Sequence, residues 1–214
     1  MIASSTIKFK LSIIIKRSNM RKIYFIITLF FFTFFNVTSS YGDKLRFGIE
    51  GGLTWADMRA EETAQTLANL SGSTVTYTYD EATWMGRIFA DYELSSEMSL
   101  EVGYFFTGSL DANYTISGSS ASEGYNGRGI DLAAVFKQDE LFLKAGLHSS
   151  EMDGAASLTI GGTTYTVSDT ISGSGYLAGA GLEMDDSRAG VTYYADVGGD
   201  GDSDMVFLYY GVMF

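Results

Sequence analysis

The chain has 214 residues, with 14 Lys and Arg against 26 Asp and Glu and a formal net charge of −12. Six of the 14 basic residues and none of the acidic ones precede position 43, so residues 43–214 carry 8 basic and 26 acidic residues, or −18. That balance excludes nucleic-acid binding through phosphate contacts, which requires a basic face. The absence of cysteine excludes a disulfide framework and a thiolate metal site.

Residues 1–42 are predicted to be a secretory signal that is removed. A short basic stretch precedes the apolar run 23–37, and small residues follow it. Ser40 and Gly42 match the small residues of a signal-peptidase site. The run is shorter than the ~20 apolar residues of a spanning helix, which argues against the alternative of a retained anchor. Met20 offers a second start within this segment.

From residue 44 onward, apolar and polar or small residues alternate. In 44–56 the apolar set includes Leu45, Ile49 and Leu53, a period of two that predicts a strand with one apolar face. The same pattern recurs, and it predicts eight strands: 44–56, 84–94, 98–108, 128–137, 141–149, 176–184, 188–197 and 205–214. Their length suits the ~9–11 residues with which a tilted strand crosses a bilayer. An even number of strands is typical of bacterial single-chain barrels.

Short and long connections alternate between these strands. The short ones are 95–97, 138–140 and 185–187, and the long ones are 57–83, 109–127, 150–175 and 198–204. This asymmetry is typical of outer-membrane barrels, with short periplasmic turns and longer surface loops. It places both ends of 43–214 on the periplasmic side, with the last strand sealing the barrel against the first.

Two of the long connections contain alternation of their own. Residues 157–167 predict a hairpin with a turn at Gly161 and Gly162, which sets Leu158 opposite Tyr165. Residues 74–80 also alternate. We therefore expect strands that extend beyond the membrane as a β-rich rim. Exposed tyrosines there are candidates for binding contacts, and packing of the loops on one another is the alternative.

The direction of the apolar face distinguishes two kinds of barrel. A soluble ligand-binding barrel turns its apolar face inward, whereas a membrane barrel turns it outward. The other face here is rich in Gly, Ser, Thr and single charges, which favours a narrow lumen over a wet surface. The apolar face carries aromatic residues near strand ends, as in membrane girdles: Trp55, Trp84, Tyr92, Tyr104, Phe106, Phe136, Tyr176, Tyr193 and Tyr210.

The signal segment, the eight alternating strands, the stretch "YLAGAGLEM" at 176–184 and the final strand ending in Phe214 together resemble the OmpA-like and opacity-type family of outer-membrane barrels. The resemblance covers nearly all of 43–214. It implies an eight-stranded antiparallel up-and-down transmembrane barrel, a monomer in contact with outer-membrane lipids and lipopolysaccharide. It also implies a signal for the barrel-assembly machinery on Leu208, Tyr210, Val212 and Phe214. The resemblance concerns the barrel domain only, so the peptidoglycan-binding role of OmpA is not expected of this chain.

Charged residues of lumen parity are the candidate site. They are Arg46, Glu50, Arg87, Asp91, Glu101, Asp131, Lys144, Glu183 and Asp196. Charges inside a narrow barrel must pair, because unpaired burial costs several kcal/mol. The interpretation is a structural ion-pair network that plugs the lumen, with a narrow gated pore as the alternative.

Two motifs have a possible chemical role. His148 and Ser150 in "HSS" resemble part of the site of lipid A deacylase barrels, but His148 has lumen parity whereas that chemistry faces lipid. Asp200, Asp202 and Asp204 alternate, yet the Gly and Glu of an EF-hand loop are missing, and loose capture of a divalent cation is the remaining alternative. No catalytic residue, cofactor or metal site is predicted.

The predicted function is that of an outer-membrane barrel with a structural or surface-interaction role through its long loops. A narrow low-conductance porin is the first alternative, and a lipid A-modifying enzyme is the second.

Overall fold

The computed structural model describes residues 44–56, 59–199 and 203–214, so the predicted signal segment lies outside the described residues. The elements are β1 Leu45–Ala56, α1 Ala60–Ser71, β2 Val75–Tyr79, β3 Ala82–Ser95, β4 Met98–Thr107, β5 Leu110–Ile116, β6 Ser119–Gln138, β7 Leu141–Ile160, β8 Thr163–Met184, β9 Ser187–Tyr194 and β10 Met205–Met213. In the part of the chain that the structure describes, no helix is long and apolar enough to cross a membrane.

Eight antiparallel strands close into a barrel, which confirms the predicted fold class. The order around the barrel is β1, β3, β4, β6, β7, β8, β9 and β10, and β10 pairs with β1 to complete the circle. The predicted seal extends to the last residue, because Phe47 and Phe214 exchange both main-chain hydrogen bonds at 3.0 and 2.8 Å. All eight predicted strands correspond to these barrel strands.

On one side, the wall of the barrel continues beyond the end opposite the short turns, as a sheet that we call the rim sheet. It consists of β2, β5 and the distal halves of β6, β7 and β8, in the order β2, β5, β6, β7, β8. β6 and β7 have 20 residues each and β8 has 22, about twice the ~9–11 that cross a bilayer. The predicted hairpin is confirmed: Leu158 lies opposite Tyr165, and Gly161 and Gly162 both have positive φ in the turn.

A helix that the alternation does not predict lies in the connection 57–83. α1 has apolar residues at Ala60, Ala64 and Leu67, one face of a helix, and it packs them on the rim sheet. It ends at Gly72, which adopts the left-handed conformation and donates its N–H to the carbonyl oxygen of Ala68 at 2.9 Å. The expectation that the connection 57–83 contains only loop and strand was wrong. The helical segment is short and its buried positions are alanines, so its helical pattern is weak.

The apolar face of the barrel strands points outward and the charged face inward. Ile49, Leu53 and Leu208 are about half exposed on the outside, at 54%, 51% and 53%, while Glu101 and Arg87 are buried inside. This arrangement contradicts the soluble-barrel alternative, in which the apolar residues would fill the interior. The outward residues form an apolar belt. Within it, the ring of Phe106 forms a T-shaped pair with Trp84 at 5.6 Å and a tilted pair with Tyr104 at 6.2 Å between ring centroids.

Barrel closure generates a prediction at two neighbouring glycines of β1. A Cβ on Gly52 would collide with the carbonyl oxygen of Leu208 and lie 2.8 Å from the Cα of Tyr209, whereas a Cβ on Gly51 would meet nothing within 4 Å. We expect Gly52→Ala to destabilise the closed barrel by about 1–3 kcal/mol, because β1 and β10 must separate. Gly51→Ala is the matched control. The measurement is the urea midpoint of the detergent-refolded chain, followed by heat-modifiable gel mobility; equal midpoints would contradict the expectation.

Candidate functional site

The centre of the lumen holds a buried set of charges that we call the central cluster: Glu50, Arg87, Glu101, Asp131, Lys144 and Arg188. Arg87 binds Asp131 through two hydrogen bonds, Nε to Oδ2 at 2.8 Å and Nη2 to Oδ1 at 2.5 Å. It also reaches Glu50 at 3.0 Å and Glu101 at 2.7 Å. Each of these two glutamates uses its other oxygen for Arg188, at 2.5 and 2.6 Å.

The central cluster is electrically balanced. It contains three carboxylates and three cations, so the ionised groups compensate one another without help from solvent. Arg188 stacks over the ring of Phe89 at 3.8 Å, and the Lys144 ammonium lies 3.8 Å from Glu101 and 5.0 Å from the ring centroid of Tyr209. Bidentate and shared arginine contacts hold side chains from β1, β3, β4, β6 and β9 in one arrangement.

A second set of charges closes the end of the barrel that carries the short turns. We call it the turn-end cluster: Arg46, Asp91, Lys137 and Glu183. Arg46 contacts Asp91 at 2.9 Å and Glu183 at 2.8 Å. Lys137 contacts the same two carboxylates at 3.2 and 2.9 Å. This cluster is also balanced, with two positive and two negative groups.

The opposite end of the lumen is filled by apolar and aromatic side chains. Phe105 and Tyr194 are fully buried, with ring centroids 4.9 Å apart, and Val197 of the loop after β9 belongs to the same buried cluster. His148 and Ser150 fasten that loop, because His148 Nε2 lies 2.7 Å from the carbonyl oxygen of Ala195 and Ser150 Oγ accepts the N–H of Gly198 at 2.9 Å. Both motif residues therefore face the lumen and have a structural partner.

The structure brings eight of the nine predicted lumen residues into these two clusters. Asp196 is the exception: β9 ends at Tyr194 rather than at 197, and Asp196 lies in the following loop with a φ of 59°. Its backbone N–H donates to Asp204 Oδ1 at 3.1 Å. Sequence reasoning left Arg188 and Lys137 out of the predicted network. Both had lumen parity on their strands, and that signal was sufficient to include them.

The proposed assembly signal lies on the outside of β10. Leu208, Tyr210, Val212 and Phe214 all point outward, and Phe214 is 71% exposed. Their recognition by the assembly machinery stays a prediction. Asp200 and Asp202 of the acidic loop lie outside the described residues, and within the described ranges no group of three or more His, Asp or Glu residues is placed to hold a metal ion.

The rim sheet offers the second candidate site. α1 covers the β2–β5 part of one face, where Ala60 and Ala64 pack on Ala112 and Tyr114. Burial and a hydrogen bond to Glu123 raise the pKa of Tyr114, so its hydroxyl remains a donor to that carboxylate.

The β7–β8 part of the same face is uncovered. Its apolar side chains Leu158, Ile160, Tyr165 and Val167 are exposed, the last two by 63% and 66%. The rim sheet thus combines a packed half with an open apolar half.

Comparison with solved structures agrees with this architecture. The chain is similar to the attachment invasion locus protein Ail of Yersinia pestis in complex with the heparin analogue sucrose octasulfate, with a TM-score of 0.51 and 13% identity over 80% of this chain and 99% of Ail. A second crystal structure of Ail gives a TM-score of 0.51 and 14% identity over the same shares of the two chains. The outer membrane protein OprG from Pseudomonas aeruginosa gives a TM-score of 0.48 and 10% identity over 79% of this chain and 95% of OprG.

No protein-family model and no curated protein matches the chain. At these identities the likeness to Ail shows a shared fold, an antiparallel barrel of the outer-membrane type. It does not extend to a ligand or an activity.

The central cluster generates a prediction about stability. Arg87→Met removes one cation and leaves Glu50, Glu101 and Asp131 with fewer partners in the lumen. We expect a loss of about 3–5 kcal/mol, because a buried carboxylate without its counter-ion keeps its desolvation penalty. The measurement is urea unfolding in detergent micelles followed by tryptophan fluorescence.

The matched control for this prediction is Arg128→Met. Arg128 also contacts two carboxylates, Glu151 at 3.1 Å and Asp153 at 3.2 Å, but its side chain is 47% exposed. Exposed ion pairs contribute about 1 kcal/mol or less, so this variant should unfold close to the wild type. Equal losses for the two arginines would show that the central cluster adds no more than a surface pair.

Proposed function

We propose that the chain is an outer-membrane barrel whose sealed lumen serves as an anchor and whose rim sheet makes contacts at the cell surface. The rim sheet carries this proposal, because it is the part of the molecule that exceeds what a bilayer needs. β8 alone continues for more than ten residues beyond the aromatic belt at Tyr176. A role in attachment follows from its position and its open apolar half.

The outward apolar belt supports a membrane location. Backbone groups in a bilayer must be satisfied within the protein, and the closed hydrogen-bond circle of the eight barrel strands meets that requirement. The belt, about half exposed at Ile49, Leu53 and Leu208, would be unstable in water and is compatible with lipid. Export by residues 1–42, insertion by the assembly machinery and contact with lipopolysaccharide belong to the same proposal.

The content of the lumen supports an anchor over a pore. Balanced ion pairs occupy the centre and the turn end, and Phe105 and Tyr194 fill the opposite end. Displacing any of these charges to admit water and ions would break several short contacts at once. Binding activity is therefore expected on the rim and not inside the barrel.

The likeness to Ail is compatible with this proposal. Ail is named an attachment invasion locus protein, and it has been crystallised with a heparin analogue. This chain is acidic at −12 overall, so a sulfated polyanion is not the partner that its charge favours. What carries over to the proposal is the use of an outer-membrane barrel for attachment.

The test is a trimmed variant expressed at the surface of a bacterial host. Residues 155–168 are replaced by Asn-Gly, which closes the shortened hairpin after the Gly154–Asp169 pair and leaves the barrel register intact. We expect wild-type cells to be retained several-fold better than vector controls on glass or on cultured epithelial cells, and trimmed cells to return to the control level. Heat-modifiable mobility must be the same for both variants. Equal retention of wild-type and vector cells would refute an attachment role.

The alternatives generate a separate prediction. In planar bilayers the wild-type chain should show no channels, and Arg188→Ala should introduce conductance by opening the central cluster. Channels in the wild type that change on Lys144→Ala would favour the porin alternative. A change in host lipid A that depends on His148 would favour the enzyme; we expect lipid A to be identical with and without the protein.

A further inference from the structure

The rim sheet ends in a strand edge that has no β-strand partner in the described part of the chain. β8 pairs with β7 along its whole length, from Thr163 to Leu182, but with β9 only from Leu177 onward. The loop after β9 covers the next stretch, because the N–H of Ala195 donates to the carbonyl oxygen of Tyr176 at 2.9 Å. The distal segment of β8 extends beyond that cover.

The direction of the backbone groups along this edge follows from three hydrogen bonds. The carbonyl of Tyr176 points toward the β9 side, and the N–H of Thr170 bonds the carboxylate of Asp169 at 2.8 Å instead of β7. The N–H of Glu183 donates to the carbonyl oxygen of Glu140, on the β7 side. Even-numbered residues of β8 therefore direct their backbone groups away from β7, and the register between the two strands is unbroken.

The open part of the edge is short and uncharged. Residues 163–168 read "TTYTVS" and are all exposed, in a chain whose residues 43–214 carry −18. Natural sheets usually protect such an edge with charge or Pro. Here the protection begins only at Asp169, whose carboxylate occupies the N–H of Thr170. In the described ranges, no strand pairs with the outward backbone groups of Thr164, Thr166 and Ser168.

We propose that this edge pairs with the same edge of a second copy of the chain, and this inference rests on the attachment role proposed above. An antiparallel pair centred on Thr166 matches Thr166 with itself and Thr164 with Ser168 of the second copy, each exchanging main-chain hydrogen bonds. On the apolar face the same register sets Tyr165 beside Val167 of the second copy. Because the segment is neutral, two acidic molecules meet where repulsion is smallest.

The orientation of the strands determines where the second copy resides. β8 runs from the rim toward the short-turn end, and so does β2, the strand at the opposite edge of the rim sheet. Copies in one membrane share this direction, so their edges would meet in parallel. Antiparallel pairing requires a copy that points the opposite way, from a facing membrane. The free edge of β8 thus joins two membranes, which amounts to attachment between cells that carry the same protein.

The experiment uses the full chain, purified in detergent and reconstituted into red and green vesicles of phosphatidylcholine and phosphatidylglycerol. Outward-facing rims are verified by cleavage with external protease. We expect co-localisation of the two colours only when both populations carry the chain. Thr166→Pro, which removes an N–H directed away from β7 and leaves the β7 ladder intact, should reduce tethering about tenfold or more.

Two matched variants keep the interpretation specific. Thr166→Ala keeps the N–H and should tether like the wild type. Tyr77→Pro makes the same change on the opposite edge: the N–H of Asp80 donates to Asp111, so odd-numbered residues of β2 face outward, and tethering should persist. Heat-modifiable mobility shows that each variant has folded.

Each outcome decides the proposal. Tethering of protein-bearing vesicles to bare vesicles, or undiminished tethering by Thr166→Pro, overturns it in favour of lipid contact or another surface. Loss on Tyr77→Pro alone assigns the contact to β2 and also overturns it. If wild-type vesicles do not tether while wild-type cells still adhere to glass or epithelial cells through residues 155–168, pairing between copies is wrong and the attachment role stands.

Discussion

Arg87 and Arg188 share Glu50 and Glu101 at the centre of the barrel, and the rest of the molecule depends on that arrangement. An eight-stranded barrel is only wide enough for side chains, so each inward charge must find its counter-charge within it. The shared pairs connect strands from opposite parts of the wall. They fill the centre of the interior with paired charges, and the proposed attachment role is assigned to the rim sheet for that reason.

The transition from barrel to rim sheet follows from a register that does not change. β7 and β8 pair without interruption from Leu141 to Ile160, so each face of the wall continues past the belt. The chemistry of the faces changes instead. The outward face becomes rich in Ser and Thr side chains, and Ser122 and Ser157 are hydrogen-bonded to each other at 2.8 Å across strands. The lumen-side face becomes apolar. The continuous β7–β8 pairing thereby carries an exposed apolar surface beyond the barrel.

Most of the fold was predictable because alternation is a local signal. Eight strands, their outward and inward faces, the β10–β1 seal and the hairpin at Gly161 and Gly162 all followed from residues close together in the chain. α1 was missed because its apolar spacing is carried mainly by alanines within a connection that also contains a strand. Asp196 was misplaced because alternation does not show where β9 stops.

The sequence by itself determined which residues face the lumen and which face outward, because side-chain direction in a strand depends only on parity. Only the tertiary structure decided which charges meet. Arg46 and Glu183 are 137 positions apart, and their 2.8 Å contact exists because closure and register bring β1 and β8 to the same depth. In the described part of the chain, closure likewise decided that the first part of β8, from Thr163, has an edge without a strand partner, since β9 pairs with β8 only from Leu177 onward.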